Sequence, residues 1–445
     1  MTPETVRRYS APVPRYTSYP TAPNFSPRVG APAYCDWLRR LPQGTALSLY
    51  VHIPFCERLC WYCGCNTKAT RRYEPVAAYL EALSIEFGNV AALIPKGAHV
   101  ANVHWGGGTP NVLSAADIRG LAGAMQAVFE VDERAGFAVE IDPRRLGVDQ
   151  ADAFVAAGVN RVSIGVQDFD PAVQHAINRV QDFETTQRAV NLFRDRGINS
   201  INIDLNYGLP HQSRGSTERT IEKVLALAPD RIAAFGYAHL PDRLRHQRLI
   251  DSEALPDVTE RFAQSQRIAR KLESAGFVRV GLDHYARPDD PLAQAGARRN
   301  FQGYTTDNSQ ALIGLGASAI GRLPEGYVQN APSTSEYSML VRRDGFATVR
   351  GIELTADDRV RAAAIERLMC SFDFSGSDLI GSFGVAASPL LDVANHLISS
   401  DRDGFIESTS DGFRMTPKGR PFVRTICACF DAYFGMTPER HALAV

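Results

Sequence analysis

Across 445 residues the sequence has no apolar run approaching the roughly 20 residues that span a bilayer, and no apolar core follows the opening Met1-Thr2-Pro3-Glu4-Thr5-Val6-Arg7-Arg8. Neither a membrane partner nor an export leader is expected. An excess of either charge is also missing: 48 Lys and Arg against 49 Asp and Glu leave a formal net charge of −1 at pH 7. That balance argues against nucleic acid as the main partner. Internal repeats, low-complexity tracts and a local Ser/His/Asp signature are absent too. Cysteine is scarce, eight in all, yet four fall between positions 56 and 65. This crowding suits a reducing compartment and a metal site better than a disulfide framework, so a cytoplasmic protein is expected.

The crowded cysteines lie in Pro54-Phe55-Cys56-Glu57-Arg58-Leu59-Cys60-Trp61-Tyr62-Cys63-Gly64-Cys65, directly after the apolar run Ser48-Leu49-Tyr50-Val51-His52-Ile53. The run reads as a strand, which puts the cysteines on the loop at its carboxyl end, where parallel α/β folds keep their chemistry. Four thiolates, with Cys65 as the fourth, would close a zinc site; zinc ligands usually come as two separated pairs, however, and no second CxxC follows. Three thiolates leave one metal position open. The CxxxCxxC spacing resembles that of the radical S-adenosylmethionine (SAM) superfamily, whose 4Fe–4S cluster offers its fourth iron to SAM.

Downstream, short β-rich runs alternate with amphipathic helices. Val76, Leu80, Leu83, Phe87 and Val90 mark one helical face, and Ser114 before Asp117, Ile118, Leu121, Met125 and Val128 reads as an N-capped helix. Strands are expected at 47–53, 99–104, 137–142, 160–165, 200–206 and 231–237, joined as βαβ units in a parallel sheet. Periodicity alone does not separate a partial barrel from a doubly wound sheet; the superfamily resemblance implies a (β/α)6 partial barrel over 46–285. Its edge is expected to be extended by a helix and strand at about 258–283. Before it lies an N-terminal arm, 1–45, read as irregular and packed on the surface. After it come a connecting segment, 286–349, contributing to the active site, and a small helical domain, 350–445. That domain reads as winged-helix-like: two helical segments, a β-hairpin at 404–415 and a last helix from about Thr416 to Phe434.

Polar groups recur at successive strand ends. Gly106-Gly107-Gly108 lets backbone approach a ligand closely. Glu140, Gln167 and Asp204 close or nearly close the third, fourth and fifth strands, and converge on one barrel mouth. A carboxylate there suits ribose hydroxyls or an amino group, and Arg179 suits a carboxylate.

Further motifs narrow the resemblance: Tyr50-Val51-His52-Ile53-Pro54-Phe55-Cys56, Gly165-Val166-Gln167-Asp168-Phe169, Tyr237-Ala238-His239-Leu240-Pro241, Asp283-His284-Tyr285-Ala286-Arg287-Pro288 and Arg299-Asn300-Phe301-Gln302-Gly303-Tyr304-Thr305-Thr306. Together they resemble the oxygen-independent coproporphyrinogen III oxidase family over essentially the whole chain. The resemblance implies cluster ligands Cys56, Cys60 and Cys63, and Cys65 as a catalytic cysteine outside the cluster. It implies one SAM against Tyr50, Gly107, Glu140 and Arg179, and a second against Tyr62, Gly108, Thr109, Gln167, Asp204, Ala238 and Ile320. It also implies a tetrapyrrole substrate, a reduced electron donor such as flavodoxin or ferredoxin, and a monomer. The implied reaction uses a 5′-deoxyadenosyl radical to convert two propionates of coproporphyrinogen III into vinyl groups, giving protoporphyrinogen IX in haem biosynthesis. Four substrate propionates need cations; Arg15, Arg71 and Arg299 are the candidates. One departure stands out: Arg298 occupies the place where the family usually has His, after a short Pro291–Ala297 segment.

Two other readings stay open. A sister family with the same cluster motif carries haem instead of making its precursor, but it typically has Gly or Asp where this chain has Cys65, and a His-Asn-containing haem motif where this chain has no His-Asn dipeptide. The other is a tetrapyrrole-binding paralogue with little turnover.

Overall fold

Leu49, Val51 and Ile53 alternate with Ser48, Tyr50 and His52, and the same two-residue rhythm runs through the following strands. A strand with this rhythm offers one apolar and one polar face. In the computed structural model, which describes residues 1–294, 296–435 and 443, the apolar faces pack under helices and the polar faces line a concave lumen. The strands are β1 (Ala46–Ile53), β2 (His99–Gly107), β3 (Val131–Ile141), β4 (Arg161–Gln167), β5 (Ser200–Tyr207) and β6 (Arg231–Gly236). All pair in parallel in chain order. Helices Glu74–Ala91, Ala115–Val128, Val148–Ala156, Phe183–Arg194 and Arg214–Ala226 make the crossovers, so the expected six-strand partial barrel is present.

Local signals act as their chemistry requires. Val76, Leu80, Leu83, Phe87 and Val90 are all buried against the sheet. Ser114 caps its helix by accepting from the Asp117 amide at 3.1 Å. Val128, expected on the same apolar face as Met125, is exposed, because the helix ends there and turns away.

The sheet continues beyond the expected edges. After helix Val258–Ser274, β7 (Val278–Val280) and β8 (His284–Ala286) add antiparallel strands beside β6. On the other side, β9 (Ala311–Leu315) pairs in parallel with β1, followed by antiparallel β10 (Ile320–Arg322), β11 (Gly326–Asn330) and β12 (Thr348–Glu353). The stretch 286–349, read as a connection, therefore supplies three strands and part of a fourth to the twelve-stranded sheet. Its strands are three to six residues long, too short to show a periodicity against the loops between them.

Two terminal regions also differ from expectation. Residues 1–45 hold helices Pro3–Arg8 and Ala31–Arg39; Tyr34, Trp37 and Leu38 sit in the main core, while Tyr16 and Tyr19 are buried in the C-terminal core. The C-terminal unit has three helices before its hairpin, Ala356–Ser371, Gly376–Phe383 and Ser388–Ser400, with Asp373–Ser375 as a third strand beside Ile406–Thr409 and Gly412–Met415. The expected last helix is shorter, Val423–Ala428, since Pro421 lacks the N–H that a helix begun at Thr416 would need. Among the described residues no helix is long and apolar enough to cross a membrane.

One buried acid ties these additions to the barrel. Glu86 of helix Glu74–Ala91 accepts from the Gly316 amide, the Asn330 amide group and the Tyr337 hydroxyl, each at 2.7 Å. Burial pushes its pKa up to about 7 despite these donors. The folded protein therefore keeps a proton that the unfolded chain has lost, and stability falls as pH rises from about 4.5 to 7. Urea unfolding from pH 5 to 8 should lose up to about 3 kcal/mol more in the wild type than in Glu86→Gln; equal slopes would show that the acid is ionised throughout.

Candidate active site

The cysteine loop leaves β1 and is held from several directions. Phe55–Cys56 pairs with Lys68–Ala69, and the Thr70 amide donates to the Cys56 carbonyl at 2.8 Å. The Gly108 and Thr109 amides donate to the carbonyls of Ile53 (2.8 Å) and Phe55 (2.9 Å). A Cβ on Gly108 would collide with that Phe55 carbonyl, so only glycine allows this approach. Farther along, Asn178 donates to the Leu59 carbonyl at 2.9 Å, and Asn66 to that of Pro332 at 2.9 Å. His246 Nε2 lies 2.7 Å from the Cys63 carbonyl.

The lumen face of the sheet carries the polar set. Glu140 is held by His104 Nε2 (3.1 Å) and by the Gly107 amide (3.1 Å). Burial alone would raise its pKa, but His104 and that amide hold it below the usual value, so it stays ionised. A Cβ on Gly106 would stand 2.7 Å from the Glu140 carboxyl carbon. His52 Nε2 faces the Asn66 carbonyl at 2.9 Å and so carries the proton there. Its Nδ1 then accepts from the Tyr50 hydroxyl at 2.9 Å, which fixes the Tyr50 ring. Sheet register sets Glu140 beside Ser163, and Asp204 beside Gly165 and Ala233, the last also opposite His284. Asp204 accepts from Ser163 (2.7 Å) and Asn202 (2.8 Å), and burial raises its pKa. Gln167, at a bulge with φ of 71°, accepts from Asn206 at 2.6 Å. One layer nearer the strand starts, Asp307 accepts from Asn102 (2.9 Å) and from Ser48, closing that end of the lumen.

Against this geometry the comparisons are direct. Residues 50–224 match the radical SAM superfamily, and residues 354–422 match the HemN C-terminal domain. Oxygen-independent coproporphyrinogen III oxidases of Paracoccus denitrificans and Bradyrhizobium diazoefficiens are 45% and 47% identical. The first alignment covers 98% of this chain and 97% of the relative, the second 97% of each. A solved Escherichia coli coproporphyrinogen III oxidase (HemN), described as a radical SAM enzyme, superposes with a TM-score of 0.90 at 40% identity, covering 94% of this chain and 97% of that one. The chain belongs to the oxygen-independent coproporphyrinogen III oxidase family.

The family's cofactors are a 4Fe–4S cluster and SAM, and the thiols suit the former. Among the described residues no three His, Cys, Asp or Glu side chains stand close enough to ligate a single metal ion. Zinc needs its ligands in one shell at about 2.0–2.3 Å, whereas a multinuclear cluster takes each thiolate on a different iron. Cys56, Cys60 and Cys63, all on the loop that leaves β1, would each hold a different iron of such a cluster. Guanidinium groups of Arg144 and Arg179 each stand 3.6 Å from Cys60 Sγ, and Thr67 donates to Cys56 Sγ at 3.4 Å. Cys65 neighbours Cys63: its amide donates to Cys63 Sγ at 3.4 Å, and the thiol–thiol contact lowers Cys63 and raises Cys65.

Oxidase-family residues expected at SAM are largely gathered here, with qualifications. Tyr50, Gly107, Glu140, Gln167 and Asp204 share the lumen. Arg179 is buried and already paired, at 3.5 Å from Asp142 and 2.6 Å from the Gly165 carbonyl, but its Nε has no partner. The Thr109 hydroxyl is engaged with Asn111 and accepts from the Asp142 amide at 3.1 Å, and its carbonyl accepts from the Val112 amide at 3.0 Å, so its polar groups are already engaged. Tyr62 and Ala238 are joined through Gln247, whose amide donates to both carbonyls at 3.1 Å. Ile320 begins β10 opposite Gln329.

The three arginines part company. Arg15 donates to the Gly236 carbonyl at 2.9 Å and lines one cavity with Arg299, Tyr207 and Asp283. Arg299 lies over the Tyr304 ring, 4.5 Å from its centroid, and 3.7 Å from Asp283; its buried Nε and Nη1 have no hydrogen-bond partner. Arg71 is not in that cavity. The chain turns outward after pairing with Cys56, which carries Arg71 to surface grooves with Glu57 and Arg58. Arg298 is exposed, one strand position from the buried Arg299, so the departure from the usual His lies on the outward side of its hairpin.

Sequence reasoning missed His104, Asp142, Arg144, Gln247 and Asp283 as site residues. His104 had a signal, since it lies two positions before Gly106 on the same strand face; Gln247 had none. Serine at Cys56, Cys60 or Cys63 should abolish the reconstituted cluster absorption near about 400 nm, while Cys65→Ser should keep most of it. Equal loss in all four would return Cys65 to the ligand set.

Proposed function

We propose that this chain carries out the anaerobic oxidative decarboxylation of coproporphyrinogen III, turning two propionates into vinyl groups to give protoporphyrinogen IX in haem biosynthesis. It acts as a radical SAM oxidoreductase. When bound, the reduced cluster and SAM supply a carbon radical able to remove a propionate hydrogen that no side-chain base could take at neutral pH. The chain's own groups bind, orient and exclude water. Ionised Glu140, fixed by His104 and Gly107, suits the ribose hydroxyls or amino group of one SAM. Tyr62, Gly108, Thr109, Gln167, Asp204, Ala238 and Ile320 are assigned to a second SAM. Cys65, exposed beside Cys63, is assigned a catalytic role outside the cluster ligands.

Substrate anchoring falls to Arg15 and Arg299. Asp283 sits well below the usual carboxylate range: burial opposes this, but Arg299, His284 and Arg15 outweigh it. It also accepts from His284 Nδ1 at 2.8 Å, fixing that ring. One carboxylate shared by two guanidinium groups and a histidine leaves the cavity short of negative charge, which a substrate propionate supplies. The Nε of buried Arg299, which has no hydrogen-bond partner, carries this reading. The protein is assigned to the cytoplasm, as a monomer reduced by a donor such as flavodoxin or ferredoxin. A haem-carrying role is set aside, since the relatives matched over nearly the full chain are oxidases.

Anaerobic incubation of reconstituted protein with coproporphyrinogen III, SAM and dithionite should consume SAM, release carbon dioxide and yield the divinyl product. Stoichiometric haem binding without SAM cleavage would refute the assignment. A hydrogen bond to a charged partner is worth about 1.5–3 kcal/mol, so Arg299→Ala and Arg15→Ala should each raise the tetrapyrrole KM roughly 10- to 100-fold with cluster content unchanged. Wild-type KM in both would place the propionates elsewhere.

A further inference from the structure

The residues between the first and second cluster cysteines, Glu57-Arg58-Leu59, do not face the lumen. Glu57 and Arg58 together border three grooves, one of them shared with Thr109, Asp142 and Arg144 and the other two lined by none of these. Arg71, Arg72 and Arg145 complete the rim of one of them. Arg58, Arg71 and Arg72 are exposed and make no ion pair among the described residues. The acids that line these grooves are already engaged: Glu57 with Arg145, Asp142 with Arg144 and Arg179, and Asp182 as a helix cap to the Thr185 amide. The neighbouring groove presents Leu59, Trp61 and the 59% exposed Leu249 alongside Thr70, Asn178 and His246.

Three exposed guanidinium groups without ion pairs, beside a groove that exposes apolar side chains, are what an interface with an acidic partner requires. Its position narrows the partner's role. The face is built from the cysteine loop itself, so a protein seated on it stands closer to the cluster thiols than one docked elsewhere on the outer surface. The lumen side is taken by the ligands of the reaction. We propose that this face docks an acidic, low-potential one-electron carrier protein. The carrier gives up one electron and is oxidised by one; the cluster is reduced by one; no bond forms or breaks in this step. The inference rests on the function proposed above and adds the entry point of its electron.

Rigid placement of the face supports this. Asn178 holds Leu59, the Ile177 carbonyl holds the Trp61 amide at 2.9 Å, and the Thr70 amide holds Cys56. The rim and the cysteine spacing therefore move as one piece. Charge steering across such a rim acts within the Debye length, about 10 Å at 0.1 M salt, so docking should weaken steeply as salt rises.

The test compares wild type with Arg72→Glu and with Arg58→Glu/Arg72→Glu, using flavodoxin as the carrier. Affinity for oxidised flavodoxin is measured by surface plasmon resonance, and cluster reduction by stopped flow with flavodoxin hydroquinone or with dithionite. The double variant should bind flavodoxin at least ten-fold more weakly and be reduced by it at least ten-fold more slowly. Its dithionite rate should stay within two-fold of wild type. Arg72, outside the cysteine spacing, should alone give a smaller loss of the same kind, about three-fold, which keeps the test decisive if Arg58→Glu lowers cluster content. Unchanged flavodoxin affinity and rate, or flavodoxin and dithionite rates falling together at equal cluster content, would overturn the docking face. Failure of the enzymatic reading is separable: wild type would then cleave no SAM even with dithionite.

Discussion

The structure depends on the two-residue alternation of its parallel strands. Val103, Trp105, Val139, Ile141, Val162, Ile164, Ile201 and Ile203 are nearly or fully buried under helices, and each is followed or preceded by a residue turned to the lumen. At roughly 1.5–3 kcal/mol for each large apolar side chain removed from water, this outer layer is the main drive for the barrel. It also settles where polar residues can go. His104, Glu140, Ser163, Asn202 and Asp204 face inward because their neighbours must face outward. A one-residue slip in any strand would exchange the two sets, placing carboxylates under the helices and apolar side chains in the lumen. Core packing and site construction are thus one constraint.

A lumen lined this way must satisfy its own polar groups before any ligand arrives. It does so by giving acids local donors: Glu140 has His104 and Gly107, Asp204 has Ser163 and Asn202, and Asp142 has Arg144 and Arg179. Asp142 is held well below the usual carboxylate range; burial pushes it upward, but Arg179 and Arg144 prevail. The same two arginines flank Cys60. Asp142 holds both cations there, at 2.6 Å from Arg144 and 3.5 Å from Arg179, a role that its place after the third strand does not announce.

What could be read in the sequence was local and repetitive. The cysteine spacing, the triple glycine and the strand-end acids each sit within a few residues of a periodic element, and each was placed correctly because the element places it. Short elements were not legible. β9 pairs in parallel with β1 across more than 250 residues, and its five residues carry no rhythm of their own. Gln247 was silent for another reason: it lies in a single 3-10 turn and works by bridging the carbonyls of Tyr62 and Ala238, groups every residue has. Arg71 misled because closeness in sequence to the cysteines is not closeness to the lumen; the pairing of Cys56 with Ala69 turns the chain outward just before it.

The substrate cavity shows how much a site can owe to chain segments with no local signature. Arg15 comes from the first 20 residues, Asp283 and His284 from the barrel edge, and Arg299 from a three-residue hairpin strand. Arg15 reaches Gly236 because the residues that follow it are anchored. Tyr16 and Tyr19 are buried in the C-terminal core, where Tyr16 donates to Asp431 at 3.1 Å and the Tyr19 hydroxyl accepts from the Ala432 amide at 3.0 Å. Tyr304, which carries the Arg299 guanidinium on its ring, in turn donates to the Met369 carbonyl at 2.6 Å. Both guanidinium groups are therefore positioned by contacts with the C-terminal unit, which contributes neither of them. That unit serves as the back wall against which the N-terminal arm and the 298–305 hairpin are set. The geometry of the cavity depends on its packing as much as on the barrel.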